Sequence, residues 1–267
     1  MGRPTDAEIL DRAKTYPYAL PRRSFVFVAG EAHELHGRPG GGLGEVLLAS
    51  QDGAGSPLTE LSGLREGELA TKVPVLAYGS NAVPAVLARK AAAPGFPDAS
   101  PIVVLRAVLH DHDVVFSAHI AAYGAVPATL QVSRATRAHV FLMLLSVEQL
   151  AALGATEPNY ALVHLSDARV DAEWGTPAPE PQAFLSRHDC LDVGGEEAAL
   201  AAVTATGRRL LEWTGVQALR FAAGRLAPGR DLDAFVLETV RDPTAPARLT
   251  AQLWSSSRPF DGPHRPG

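Results

Sequence analysis

Residues 73–90 read VPVLAYGSNAVPAVLARK, and the four residues at the centre, Tyr78, Gly79, Ser80 and Asn81, decide how the chain is organised. Val73, Val75, Leu76 and Ala77 form a short apolar run of strand type, whereas Val83, Val86 and Leu87 recur as on one helix face. A turn must join the two. Gly79 supplies backbone freedom there, Ser80 or Asn81 suits the helix N-cap, and Pro84 stands near the first helical positions, where a missing N–H costs nothing. A strand-turn-helix corner of this kind gathers free amides at the positive end of a helix dipole, beside a phenol, a hydroxyl and a side-chain amide. It suits a carboxylate or a phosphate. An ordinary capped turn accounts for the same residues, so the corner needs a second observation.

That observation comes at residues 146–160. Ser146 and Gln149 have the spacing of a capping box, opening a short helix with Val147, Leu150 and Leu153 on one side and Gly154 as its stop. Glu157 follows in a short connection, and a strand begins at Tyr160. Pro158 restricts Glu157 to extended backbone, which fixes where its side chain points. A half-buried carboxylate there would have its pKa raised toward the range of a general base. A solvated loop residue is the alternative, and local reasoning leaves both open.

Composition bounds the function. With 267 residues and 46% apolar content the chain can bury a sizeable core, as one large domain or one domain with extensions. Its net charge of −5 is spread along the length without a basic stripe, which argues against nucleic acid as a partner. The sole cysteine, Cys190, excludes an internal disulfide and a multi-cysteine metal site. The first fourteen residues are too charged for a signal peptide, and Asp6 stands where myristoylation wants Ser or Thr. The longest apolar run, near 140–145, is too short to cross a membrane. The expectation is a cytoplasmic protein with no membrane partner.

Around the corner, residues 1–22 read as an arm with a short helix at 6–14, and 24–29 as a strand. Gly40, Gly42 and Gly44 lie in a glycine-rich loop that lacks the strand and helix context of a nucleotide-binding motif. Strands are expected at 102–109, 114–116, 137–145, 184–187 and 190–193, with a turn at Gly124. The run His110, Asp111, His112, Asp113 would put both histidines on one strand face, an incomplete ligand set with His119 alone nearby, so no metal is expected. Residues 196–213 carry acids at the start and Arg208 and Arg209 toward the end, predicting a helix, and 230–242 predict another. The tail at 255–267 reads as disordered.

Taken together, the apolar strand ending in Tyr78-Gly79-Ser80-Asn81, the strands that follow, Gly124 with Ala128-Thr129-Leu130 after it, the short helix and the later Glu157 resemble the gamma-glutamylcyclotransferase-like family over residues 73–193. The resemblance implies an α+β fold, a mixed β-barrel with flanking helices. Around it the chain divides into an arm at 1–22, a core at 23–195, a C-terminal helical extension at 196–254 and the tail. The implied activity is cleavage of a gamma-glutamyl amide into 5-oxoproline and an amine, without metal or cofactor. Glu157 would be the general base, and Tyr78, Gly79, Ser80, Asn81 and Tyr160 would line the substrate site. The chain departs from the family in having Pro158 directly after the glutamate and an aromatic as early as Tyr160. A non-catalytic module of the same fold, binding a small carboxylate or regulating a partner, is the alternative. A serine hydrolase built on Ser80 would lack the G-x-S-x-G elbow.

Overall fold

The computed structural model describes residues 3–37, 47–48, 56–57, 66–97, 101–176, 178 and 180–267. The glycine-rich loop and most of the polar connection at 51–72 lie outside them.

Helix α1 (Asp6–Lys14) starts on a Thr5/Glu8 capping box and coincides with the predicted helix of the arm. Strands β1 (Phe25–Val28), β2 (Glu31–His36), β3 (Leu47–Leu48) and β4 (Ser56–Pro57) follow, then α2 (Glu66–Leu69). The central stretch gives β5 (Val73–Ala77), a 3-10 turn at Ser80–Ala82 and α3 (Pro84–Ala91). The longest elements are β6 (Ile102–Phe116) and β7 (Ala128–Leu145), after which α4 (Val147–Ala155) begins on the predicted Ser146/Gln149 box. Strands β8 (Tyr160–Leu165), β9 (Val170–Ala172) and β10 (Gln182–Ser186) complete the middle of the chain.

The segments expected at 102–109 and 114–116 are one strand. At Asp111, with φ 56°, a bulge between His110 and His112 absorbs a register shift and pairing with β7 resumes beyond it. The bulge also breaks the alternation expected of the His-Asp run. His110 pairs with Asp171 at 2.7 Å, Asp111 accepts the Ala135 N–H at 2.8 Å, and the buried His112 stacks on Phe260.

The strands form a large mixed sheet in the order β14-β8-β10-β5-β7-β6-β1-β2-β3-β4, where β14 is His264–Pro266. Pairing is antiparallel along this path except between β10 and β5, which are parallel. The expected barrel does not form, because β14 at one end pairs with β8 and β4 at the other with β3, and the two ends do not meet. The reason lies in the apolar content of β5, β6 and β7. On one face Val75, Val104, Phe141 and Met143 pack with Leu87 of α3 and Leu150 and Leu153 of α4. On the other, Leu76, Leu105, Leu142 and Leu144 belong to a core that includes Ile9 of α1. Each face is covered by its own layer, so burial needs no closure.

The C-terminal quarter corrects two further expectations. Residues 196–213 are not helical: they hold β11 (Ala199–Leu200) against β6, β12 (Ala205–Thr206) against β7, and β13 (Glu212–Trp213) against β11. Tertiary pairing overrides the alanine-rich propensity there. Gly207 takes φ +71°, and a side chain at that position would collide with the Ala135 carbonyl. Helices α5 (Gly215–Leu226), α6 (Leu232–Arg241) and α7 (Ala245–Trp254) come after, of which only α6 was expected from its sequence. The tail is built in rather than disordered. Arg258 bridges to Cys190, its guanidinium holds Glu197 at 2.8 Å, and β14 adds to the sheet edge. Helix α1 lies against α6, tied by the ion pairs Lys14–Asp233 and Arg241–Asp6. No described helix is long and apolar enough to cross a membrane.

Candidate active site

The sheet order places the two singled-out stretches side by side. Strand β10 runs parallel to β5, and β8 returns antiparallel to β10 with Tyr160 opposite Ser186. The start of β8 therefore stands at the same edge as the end of β5, where the corner begins. Glu157 is fixed one turn before β8: its N–H donates to Gly154 O at 2.9 Å, and its carbonyl accepts from Tyr160 N at 3.0 Å.

Between these elements lies a cavity of about 380 Å³ whose wall includes Tyr78, Gly79, Ser80, Asn81, Glu157 and Tyr160, all six of the residues expected at the site. The Tyr78 hydroxyl donates to the Phe184 carbonyl, and that of Tyr160 to the Ala128 carbonyl at 2.8 Å. Ser80 is half-buried and no histidine bonds its hydroxyl among the described residues. Gly79 is the position where size matters: a Cβ there would stand 2.8 Å from the Tyr16 hydroxyl oxygen, which already accepts the Ala128 N–H at 2.9 Å.

The corner departs from expectation in one detail. Helix α3 is capped by Val83 with Pro84 at its start, and neither Ser80 nor Asn81 caps it. Asn81 is instead part of the site. Its Nδ2 donates to Glu157 Oε1 at 3.0 Å, and its Oδ1 accepts from Lys90 Nζ at 2.7 Å. Lys90 also forms an ion pair with the same Oε1, and both charged side chains are largely buried, 13% and 15% exposed. Oε1 thus takes two donors, while Oε2 has none among the described residues and remains free to accept a proton.

Sequence reasoning missed several lining residues. Lys90 sits in the last turn of α3, where a basic residue is ordinary and gives no signal. Arg12, Tyr16 and Tyr18 come from the arm, and Arg89, His119 and Tyr123 also reach the wall. Their separation in sequence hid them. The Arg12 guanidinium lies 5.0 Å over the Tyr123 ring, and neither it nor Arg89 pairs with a carboxylate among the described residues. Burial raises the phenols of Tyr16 and Tyr78, so both stay protonated; Tyr78 donates to Phe184, whereas Tyr16 accepts the Ala128 N–H. Burial pushes His119 down to about 3, with His188 adding to the effect, so its imidazole is neutral.

No group of three or more His, Cys, Asp or Glu side chains placed to hold a metal ion occurs among the described residues. The fold and site together define a mixed α+β protein with an open sheet and a cationic, tyrosine-lined cavity that holds one carboxylate. No protein-family model matches the chain, and no curated protein or solved structure matches it either.

Proposed function

We propose that this chain is a gamma-glutamylcyclotransferase-like enzyme that cleaves a gamma-glutamyl amide by intramolecular aminolysis, with Glu157 as general base. The observation that carries the reading is the Glu157 carboxylate at the cavity wall, anchored through Oε1 by Asn81 and Lys90 and open at Oε2. A gamma-glutamyl group brings its own nucleophile, the alpha-amine, so the protein need supply no nucleophilic side chain. It must hold the substrate folded and move protons.

The balance of the reaction needs one carboxylate. The alpha-ammonium carries three protons and the lactam nitrogen of 5-oxoproline keeps one, so two are transferred to the departing nitrogen, which leaves as an ammonium. Glu157 Oε2 takes the first proton to free the nitrogen lone pair for attack on the side-chain carbonyl carbon and passes it to the departing nitrogen, then takes the second from the added nitrogen and returns it as the carbon–nitrogen bond to the amine breaks. No metal or cofactor has a part in these steps. Arg12 and Arg89 supply cations at the wall for substrate carboxylates, and the corner from Tyr78 to Asn81 packs against the glutamyl chain.

A second reading is a non-catalytic module that binds a small carboxylate. The contact between Lys90 and Glu157 favours it, because a base already paired with an ammonium can serve as a structural tie. Thermal shift with a panel of gamma-glutamyl amides, run beside an assay for 5-oxoproline, separates the two. Turnover supports the enzyme; a raised melting temperature without product supports the module.

A further inference from the structure

His119 lies just beyond β6, is 1% exposed, and lines the cavity. Its Nδ1 is 2.6 Å from Ser117 Oγ, which is in turn 2.6 Å from Ser186 Oγ. Ser186 Oγ accepts the backbone N–H of His188 at 3.0 Å. Each hydroxyl has one proton to give, and among the described residues Ser117 is the acceptor within reach of Ser186. With Ser186 donating to Ser117, Ser117 has its own proton to give to His119 Nδ1. With Nδ1 an acceptor, the ring proton of a neutral imidazole sits on Nε2.

The surroundings keep it there. Tyr160 meets the ring edge-on with centroids 5.6 Å apart, and His188 lies at 5.3 Å. No carboxylate hydrogen-bonds the His119 ring among the described residues, so nothing nearby draws a second proton onto it, and burial opposes one. A neutral imidazole N–H is thus held in the wall of the cavity that holds the Glu157 carboxylate.

We propose that His119 Nε2–H donates a hydrogen bond to the carbonyl oxygen of the amide cleaved in this cavity, and that Ser117 and Ser186 are positioning residues that fix the donor tautomer. The inference rests on the gamma-glutamyl reading above. As the alpha-nitrogen adds to the carbonyl carbon, the C=O π pair moves onto oxygen, and Nε2–H stabilises the charge that develops there. When the carbon–nitrogen bond to the leaving amine breaks, the pair returns to re-form the carbonyl. His119 ends the cycle with the proton it began with, so Glu157 carries all the proton transfer.

Two measurements on the full chain test this. Nitrogen-15 NMR of labelled histidine reports the tautomer without reference to any substrate: protonated Nε2 and unprotonated Nδ1 are expected throughout about pH 5 to 9. In the 5-oxoproline assay, His119→Ala should lower kcat about 10²-fold, as loss of one such donor does, with KM little changed. His119→Gln, which keeps an N–H donor, should recover part of that loss, and Ser117→Ala should cost less than either. A protonated Nδ1, a ring that titrates in that range, or an His119→Ala protein with wild-type kcat beside an inactive Glu157→Gln would overturn the proposal. If the wild type releases no 5-oxoproline, the reaction reading and the donor role fall together, while the NMR result still reports the tautomer.

Discussion

Two acid–base pairs in this molecule are withdrawn from solvent, Arg208 with Asp113 almost completely and Lys90 with Glu157 less so, and they are built for different ends. Asp113 is fully buried against Arg208, and both of its oxygens are engaged: Oδ2 takes Arg208 Nε at 2.8 Å, and Oδ1 takes Arg208 Nη2 and the Val114 N–H, each at 2.8 Å. The guanidinium fork matches both oxygens at once, which a point-like ammonium cannot do. Glu157 and Lys90 meet through one oxygen, and the other has no hydrogen-bond donor among the described residues, on a side chain that lines the cavity. A saturated pair ties strands together, whereas a half-satisfied one retains chemical capacity. Arg208 shows the tying role further, since it also reaches Glu212 and the Val203 carbonyl and so locks the residues after β11 onto β6.

The contrast can be broken experimentally. Asp113→Ala strands a buried guanidinium and should cost about 3–5 kcal/mol in denaturant unfolding, without reference to the cavity. Lys90→Met removes charged hydrogen bonds from a partly exposed pair and should cost less, about 1.5–3 kcal/mol, while also lowering kcat because the base loses its anchor. Equal losses in the two variants would erase the distinction drawn here.

A third buried group extends it, because His119 is held neutral with no ionic partner among the described residues. The unfolded chain binds a proton at this histidine below about pH 6.5, whereas the folded chain does so only near about pH 3. The unfolded state therefore binds more protons between those values, and stability falls as pH drops through them, by about 1.4 kcal/mol per pH unit from this group. His112 and His188, also lowered by burial, act in the same direction. Calorimetric unfolding between pH 7 and pH 4 should show a shallower decline in His119→Gln than in the wild type. The smallest effect expected is for Gly79→Ala, about 1 kcal/mol, as the Tyr16 ring yields to the added methyl. Its sharper consequence should be a raised KM, because the ring belongs to the cavity wall.

What could be read in advance follows the range of the forces involved. Caps, turns and apolar alternation are local, so α1, α4, the strand-turn-helix corner and the connection carrying Glu157 were legible. The bulge at Asp111, the open sheet, the pairing of 199–213 and the built-in tail depend on partners far along the chain. Glu197, for example, looks like a first-turn helical acid, yet it is buried between Gln131 and Arg258. At the site, the residues offered by the corner and its glutamate were found. The groups contributed by α1 and by the far end of α3 were not, since neither Arg12 nor Lys90 stands out among ordinary surface cations.

The most direct test of the account is a comparison of wild type with Glu157→Gln in release of 5-oxoproline from gamma-glutamyl amides, with thermal unfolding run on both. The substitution keeps the Oε1 acceptor for Asn81 and Lys90 but removes the proton-accepting Oε2. The account predicts a variant that unfolds within about 1 kcal/mol of the wild type and is slower by about 10²- to 10⁴-fold. Equal rates from the two proteins would contradict it.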